Sequence, residues 1–251
     1  MFVHGNPGPA ADWSRLLTQV GEFTRAVAPD MPGYGNADMP RDFPYTIDGY
    51  AEHLSGLLDG LGIARAHLVL HDFGGPWGLT WAVRHPGAFA SATLINTGTL
   101  PDYKWHHYAR IWRTPGIGEL FQLTANRRAF RMLLSRENPR LTTTAIDRIY
   151  DGARSWATKR AVLKLYRASP ASVMRGPVEA LCELDRPALV LWGTDDASLP
   201  WTLAKRQLSA FPSAQIELLE GLGHWPFHED PARVAELVLP FLRAQLSVQV
   251  P

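Results

Sequence analysis

The sequence predicts an α/β fold in which a mainly parallel sheet is covered by helices on both faces and interrupted by a long helical insertion. Three observations predict it. Short apolar runs that read as strands alternate with stretches of helical periodicity along most of the chain. One run, Leu68-Val69-Leu70-His71-Asp72-Phe73-Gly74-Gly75-Pro76-Trp77-Gly78, passes from strand to helix through a turn whose glycines permit close backbone approach. Between residues 97 and 184 several short helical patterns follow one another with no convincing strand. Strands separated by helices pair in parallel, and a parallel sheet needs cover on both faces. The chain therefore divides into core segments 1–96 and 185–251 around an inserted helical lid, 97–184.

The elements follow in order. Residues 11–22 read as a helix and Arg25-Ala26-Val27-Ala28 as a strand ending at Pro29, before a turn-rich loop from Asp30 to Asp38. Ile47, Ala51, Leu54, Leu58 and Leu61 recur at helical spacing, with Thr46 as N-cap and Gly62 as stop. Strand 67–71 leads into a helix from Gly74 to Arg84, with Pro76 in its first turn. Ala92 to Asn96 and Ala188 to Trp192 are the strands on either side of the lid. Helices over 201–211 and 231–245 enclose the last strand, Ile216 to Leu219.

Composition excludes several classes. With 25 basic and 24 acidic residues the net charge is +1, so no nucleic acid or other polyelectrolyte partner is implied. No run approaches the ~18 apolar residues of a membrane span. The lone Cys182 rules out an internal disulfide framework and fits a reducing, cytoplasmic compartment. His106 and His107 have no acidic or cysteine neighbours at metal-ligand spacing, so neither a metal nor another cofactor is expected.

The chemistry concentrates at strand ends. Asp72 closes strand 67–71; Asp195 and Asp196 follow Gly193 after strand 188–192; His224 follows Gly221-Leu222-Gly223 after the last strand. Open α/β sheets place their sites at these carboxyl ends. A carboxylate with an ordinary pKa near 3.9 attacks a saturated carbon without help from a base, and histidine is then needed only to hydrolyse the resulting ester. Asp195 and Asp196 are adjacent, so only one of them can face an imidazole. His71 points to the opposite side of its strand from Asp72 by period-two alternation and reads as structural.

The order Asp72, Asp196, His224 is that of the triad of the α/β-hydrolase superfamily, and nearly the whole chain resembles it. The elbow His71-Asp72-Phe73-Gly74-Gly75 is similar to the His-Asp-Trp-Gly-Gly of the aspartate-nucleophile branch, the epoxide hydrolases and haloalkane dehalogenases. Leu70 departs from the small residue usual two positions before the nucleophile. The resemblance implies Asp196 as the acid, three residues after the strand-ending glycine; Asn96, where some dehalogenases carry a carboxylate, is not an acid. Phe2-Val3-His4-Gly5-Asn6-Pro7-Gly8 resembles the strand and oxyanion turn of the family, with the N–H groups of Asn6 and Phe73 as donors.

The resemblance implies one of two substrates, a small apolar epoxide or a haloalkane, with water as the second reactant. Asn6 is the residue that haloalkane dehalogenases use to hold halide, but Phe73 lacks the indole donor that pairs with it. Tyr108 and Tyr166 lie in segments similar to the two lid-tyrosine segments of epoxide hydrolases, with Tyr103 a competitor for the first role. An expelled alkoxide is a poor leaving group and needs such donors, whereas halide needs no proton. A fluoroacetate dehalogenase is less favoured, because Phe73 and Trp77 occupy the stretch where its arginines stand. Epoxide opening is the leading expectation, dehalogenation the alternative, and a small-molecule receptor of the same fold a third. The family's first strands have no counterpart ahead of Phe2: either the chain starts late or it dispenses with them. On this reading strand 25–28 is an uncovered sheet edge through which the protein could form a homo-oligomer.

Overall fold

Five apolar runs pair side by side as one parallel sheet: β1 (Phe2–Val3), β2 (Ala66–His71), β3 (Phe89–Ile95), β4 (Ala188–Gly193) and β5 (Gln215–Leu219). The computed structural model describes residues 1–247. Register aligns Leu70 with Leu94, Leu94 with Val190 and Val190 with Ile216. Side chains of a strand alternate between faces, so successive apolar residues feed two cores. Leu68, Leu70, Leu94, Val190 and Trp192 pack on α2 (Ile47–Gly60) and α3 (Gly74–Arg84). Val69, Ile95, Leu189 and Leu191 pack on α1 (Ser14–Gly21) and on the C-terminal helix Pro231–Ser247.

Local chemistry sets the boundaries. Thr46 caps α2 by accepting the Gly49 N–H at 3.0 Å, and Gly62 follows the helix at φ 66°. Leu70 fits because α3 offers Gly78: a Cβ there would lie 2.6 Å from Leu70 Cδ2.

Two expectations are corrected. Residues 25–28 form no strand: Val27 O accepts the Phe2 N–H at 2.8 Å, but β1 is two residues long and offers no further ladder. The helix expected over 201–211 is the short α10 (Thr202–Arg206), tightening into a single 3₁₀ turn at Gln207–Ser209. In chain order the insertion between β3 and β4 holds α4 (His107–Arg113), α5 (Ile117–Thr124), α6 (Arg127–Glu137), α7 (Thr143–Ala153), α8 (Trp156–Ala168) and α9 (Val178–Leu184). After β5 come α11 (Pro226–Glu229) and α12, the C-terminal helix already described. Leu134, Leu141, Ile146 and Ile149 of the insertion share one apolar cluster with Leu222, Trp225 and Phe227, which seats α6 and α7 on the loop after β5. Among the described residues no helix is long and apolar enough to cross a membrane.

Candidate active site

The turn after β2 holds Asp72 in the left-handed region, φ 48°, which costs a non-glycine residue about 1–3 kcal/mol and is stable only where its surroundings impose it. They do so from several sides. The Asp72 carbonyl accepts the Gly75 N–H at 3.0 Å and the Thr97 hydroxyl. Gly5 lies so close that a Cβ on it would sit 2.3 Å from Asp72 Cβ. The β1 turn can reach the carboxylate only because residue 5 is glycine.

The two carboxylate oxygens of Asp72 have different surroundings. Oδ1 accepts the Asn6 N–H at 2.6 Å, and Oδ2 lies 3.6 Å from His224 Nε2. Phe73, buried, is the residue from which α3 starts, so its N–H belongs to a helix N-terminus. His224 Nδ1–H donates to Asp196 Oδ2 at 2.7 Å. Asp196, with a fully buried side chain, also accepts Asn96 Nδ2–H at 2.6 Å and the N–H groups of Ser198 and Leu199 at 2.7 and 2.9 Å. Asp195 is exposed and faces Thr194 instead. His71 lies beneath the imidazole and donates Nε2–H to the His224 carbonyl at 2.8 Å.

Charge follows from this geometry. Burial pushes Asp72 up, but the hydrogen bond and charge of His224 and the Asn6 N–H outweigh it and hold the carboxylate down at about 2. Burial likewise raises Asp196 and is outweighed by the His224 charge, leaving it lowered. Burial lowers His224, yet the two carboxylates prevail and raise it to about 10. The resting site is thus an imidazolium between two carboxylates. Burial lowers His71 to about 3, so it stays neutral.

Asn6, Asp72, His106, Tyr108, Tyr166 and His224 line one cavity of about 80 Å³, under the lid at the carboxyl ends of the strands. A lobe of about 10 Å³ beside it adds Tyr103, Trp105 and Met174. A larger hollow of about 570 Å³, around Met1, Arg25 and Ile63–His67, opens at the opposite ends of the strands and touches none of these groups.

Within the cavity a hydrogen-bond chain fixes the donors. Tyr34 O–H donates to Asn6 Oδ1 at 3.2 Å, which turns Asn6 Nδ2 toward Tyr166 Oη at 3.3 Å. His106 is the N-cap of α4: its Nδ1 accepts the Ala109 N–H at 3.3 Å, so the proton resides on Nε2, 3.4 Å from Tyr166 Oη. Burial lowers His106 to about 4 and keeps it neutral. Tyr166 therefore accepts from both neighbours and retains its own O–H for whatever occupies the cavity. Burial, then the Asp72 charge, raises its pKa well above the ordinary value. Tyr108 stands on the same wall, but its hydroxyl donates to Glu137 Oε1 at 2.8 Å.

The structure thus brings Asp72, Asp196, His224, Asn6, Phe73 and Tyr166 to one place, with Tyr108 at its margin. Sequence reading missed Tyr34, His106, Glu137 and Asn138. His106 carried a signal: it precedes a helical pattern as a cap residue would. Among the described residues no cluster of three or more His, Cys, Asp or Glu side chains is placed to hold a metal ion.

A parallel sheet with an aspartate in the tight turn after β2, an acid after β4 and a histidine after β5 has the arrangement of an α/β hydrolase. The chain belongs to the alpha/beta hydrolase family, whose sequence profile matches residues 1–237. Among curated relatives, a 2-hydroxymuconate semialdehyde hydrolase of Pseudomonas sp. (strain CF600) is 28% identical over 96% of this chain and 86% of its own. A cis-3-alkyl-4-alkyloxetan-2-one decarboxylase of Xanthomonas campestris pv. campestris is 27% identical over 98% of this chain and 87% of its own. Among solved structures, a haloalkane dehalogenase loop variant from Bradyrhizobium elkanii superimposes with a TM-score of 0.81 at 24% identity, over 99% of this chain and 90% of that one. An epoxide hydrolase does so at 0.81 and 14% identity, over 97% and 90%. At these identities the two structures share the fold. Meta-cleavage product hydrolases superimpose equally well, one from Pseudomonas fluorescens IP01 at 0.81 and 23% identity over 97% of this chain and 89% of that one.

Proposed function

We propose that the protein hydrolyses small epoxides to vicinal diols through an ester on Asp72. The observation that carries this reading is the Tyr166 hydroxyl, which accepts from Asn6 and His106 and keeps its own proton to give, in the cavity of a carboxylate nucleophile. Asp72 Oδ2 attacks one ring carbon from behind while Oδ1 stays on the Asn6 N–H. The C–O bond breaks, and the alkoxide takes the Tyr166 proton, replaced from the His224 imidazolium. His106 Nε2–H, held on Tyr166 Oη, leaves the tyrosine proton free for that oxygen. Tyr108 reaches it only by leaving Glu137.

Ester formation removes the Asp72 charge, one of the two that raise His224, which favours that passage of its proton to Tyr166 and leaves a neutral imidazole that can act as a base. His224, held by Asp196, then takes a proton from water, and hydroxide adds to the ester carbonyl. The oxyanion forms on Oδ1, where the Asn6 N–H already donates and the Phe73 N–H joins it. Collapse expels the diol oxygen, protonated by His224, and the Asp72 carboxyl returns its proton to the imidazole. The name of the Xanthomonas relative puts it on another strained oxygen ring, an oxetan-2-one, which supports ring opening as the substrate class.

One observation favours a second reading, haloalkane dehalogenation. Tyr34 fixes the Asn6 amide with Nδ2 facing the cavity, where it could hold halide together with Tyr166. Product detection separates the two: diol from styrene oxide supports the epoxide reading, whereas bromide from a bromoalkane without diol overturns it.

A further inference from the structure

The main chain around His224 is tied on every side. His71 donates to its carbonyl, Asn96 Nδ2 donates to Gly223 O at 3.2 Å, and Glu229 accepts the N–H groups of Gly223 and Trp225 at 2.7 and 3.2 Å. All these ties come from the core. The N–H of His224 itself goes to the lid: Asn138 Oδ1 accepts it at 2.9 Å, across 86 residues of sequence.

Several features make that tie specific. Asn138 is 3% exposed, and its own N–H bonds Leu134 O at 2.8 Å as the C-cap of α6, which fixes where its side chain starts. Residue 223 is glycine, and a Cβ there would lie 2.3 Å from Asn138 Oδ1, so only glycine lets the lid amide in. The preceding residue, Glu137, takes the Tyr108 hydroxyl at the cavity wall. The end of α6 thus lines the cavity with Glu137 and Asn138 and holds the His224 backbone with the second of them. If α6 lifts, both contacts go together.

We propose that Asn138 is a positioning residue for the hydrolysis half of the reaction: by holding the His224 N–H it keeps the imidazole between Asp196 and Asp72, so that water is activated only while the lid is seated. This rests on the covalent two-step reading above. The first half needs no base, so loss of Asn138 spares ester formation and slows ester hydrolysis. A general defect in the lid slows both.

The test uses the full chain carrying Asn138→Ala, Asn138→Ser or Asn138→Asp, with His224→Gln as reference. Rapid-quench single turnovers with styrene oxide and with 1-bromobutane, read by intact mass, separate the two half-reactions. Amide hydrogen exchange at His224 is read without substrate. Asn138→Ala should form ester within about twofold of wild type but hydrolyse it about tenfold or more slowly, so that the adduct accumulates; His224 amide protection should fall about tenfold. Asn138→Ser, polar but too short to reach, should show the same split, which guards against a folding failure of the alanine variant. Asn138→Asp restores an acceptor for the His224 N–H and should restore its amide protection. Equal slowing of both half-reactions, or hydrolysis and exchange unchanged, overturns the proposal. If His224→Gln traps no ester, the two-step reading itself fails, and the exchange arm still decides whether Asn138 holds His224.

Discussion

Replacing Tyr166 by phenylalanine removes one oxygen from a side chain that is 2% exposed and leaves its ring packing on Phe73, Trp105 and Trp112 intact. Two costs must be kept apart. The fold loses an acceptor for two long hydrogen bonds, 3.3 and 3.4 Å, worth about 1 kcal/mol together, or roughly 2–4 °C in Tm for a chain of this size. The reaction loses the donor to a developing alkoxide in a largely buried site, and removal of one such donor costs about 3–4 kcal/mol, or 10²–10³ in kcat. Halide expulsion needs no proton, so the same substitution should lower bromide release by less than about tenfold. Diol formation from styrene oxide and bromide release from 1-bromobutane, measured beside thermal unfolding, give all three numbers. Tyr166→Phe that still opens the epoxide at the wild-type rate while remaining folded refutes the role given to this hydroxyl.

Other expectations follow from the same geometry. Tyr108→Phe should change epoxide opening less than about tenfold, since its hydroxyl is given to Glu137; a loss matching that of Tyr166→Phe would place Tyr108 at the oxygen instead. His224 has its folded pKa raised to about 10 by Asp196 and Asp72, so its ion pairs stabilise the fold fully below about 6.5 and progressively less as pH rises through 10. Urea unfolding of wild type and His224→Gln between pH 6 and 10 isolates this: the stability difference should shrink as pH rises, and a constant difference contradicts it. Gly5→Ala forces a Cβ into contact with the Asp72 side chain and should abolish turnover while circular dichroism still reports a folded sheet; wild-type activity would show that the turn can give way.

The sheet was legible because its central strands β3 and β4 are buried on both faces and the chain leaves its strands through glycine-marked turns. Arg25–Ala28 misled for a reason of the same kind: the residues suit a strand, but a strand exists only with a partner, and β1 offers Phe2 alone. At the site, residues that stand one per strand end could be read from local punctuation, as with Asp72 and His224. The lid contribution could not. Whether His106 or Tyr108 faces the nucleophile depends on where α4 begins, because residues two apart on a helix point about 200° from each other. The start at His107 makes His106 a cap with Nε2 turned inward and sends the Tyr108 hydroxyl to Glu137. The Asn138–His224 tie depends on how an inserted helix pair settles on a loop of the core, and no spacing in the chain announces that.

The covalent ester on Asp72 is the central claim, and a single turnover of excess enzyme with styrene oxide in heavy-oxygen water tests it most directly. The account predicts a first diol carrying only light oxygen, because the incoming atom is Asp72 Oδ2, with the heavy oxygen found in the peptide that contains Asp72. A first diol already labelled, with Asp72 unlabelled, would mean that water attacks the substrate directly and would contradict the account.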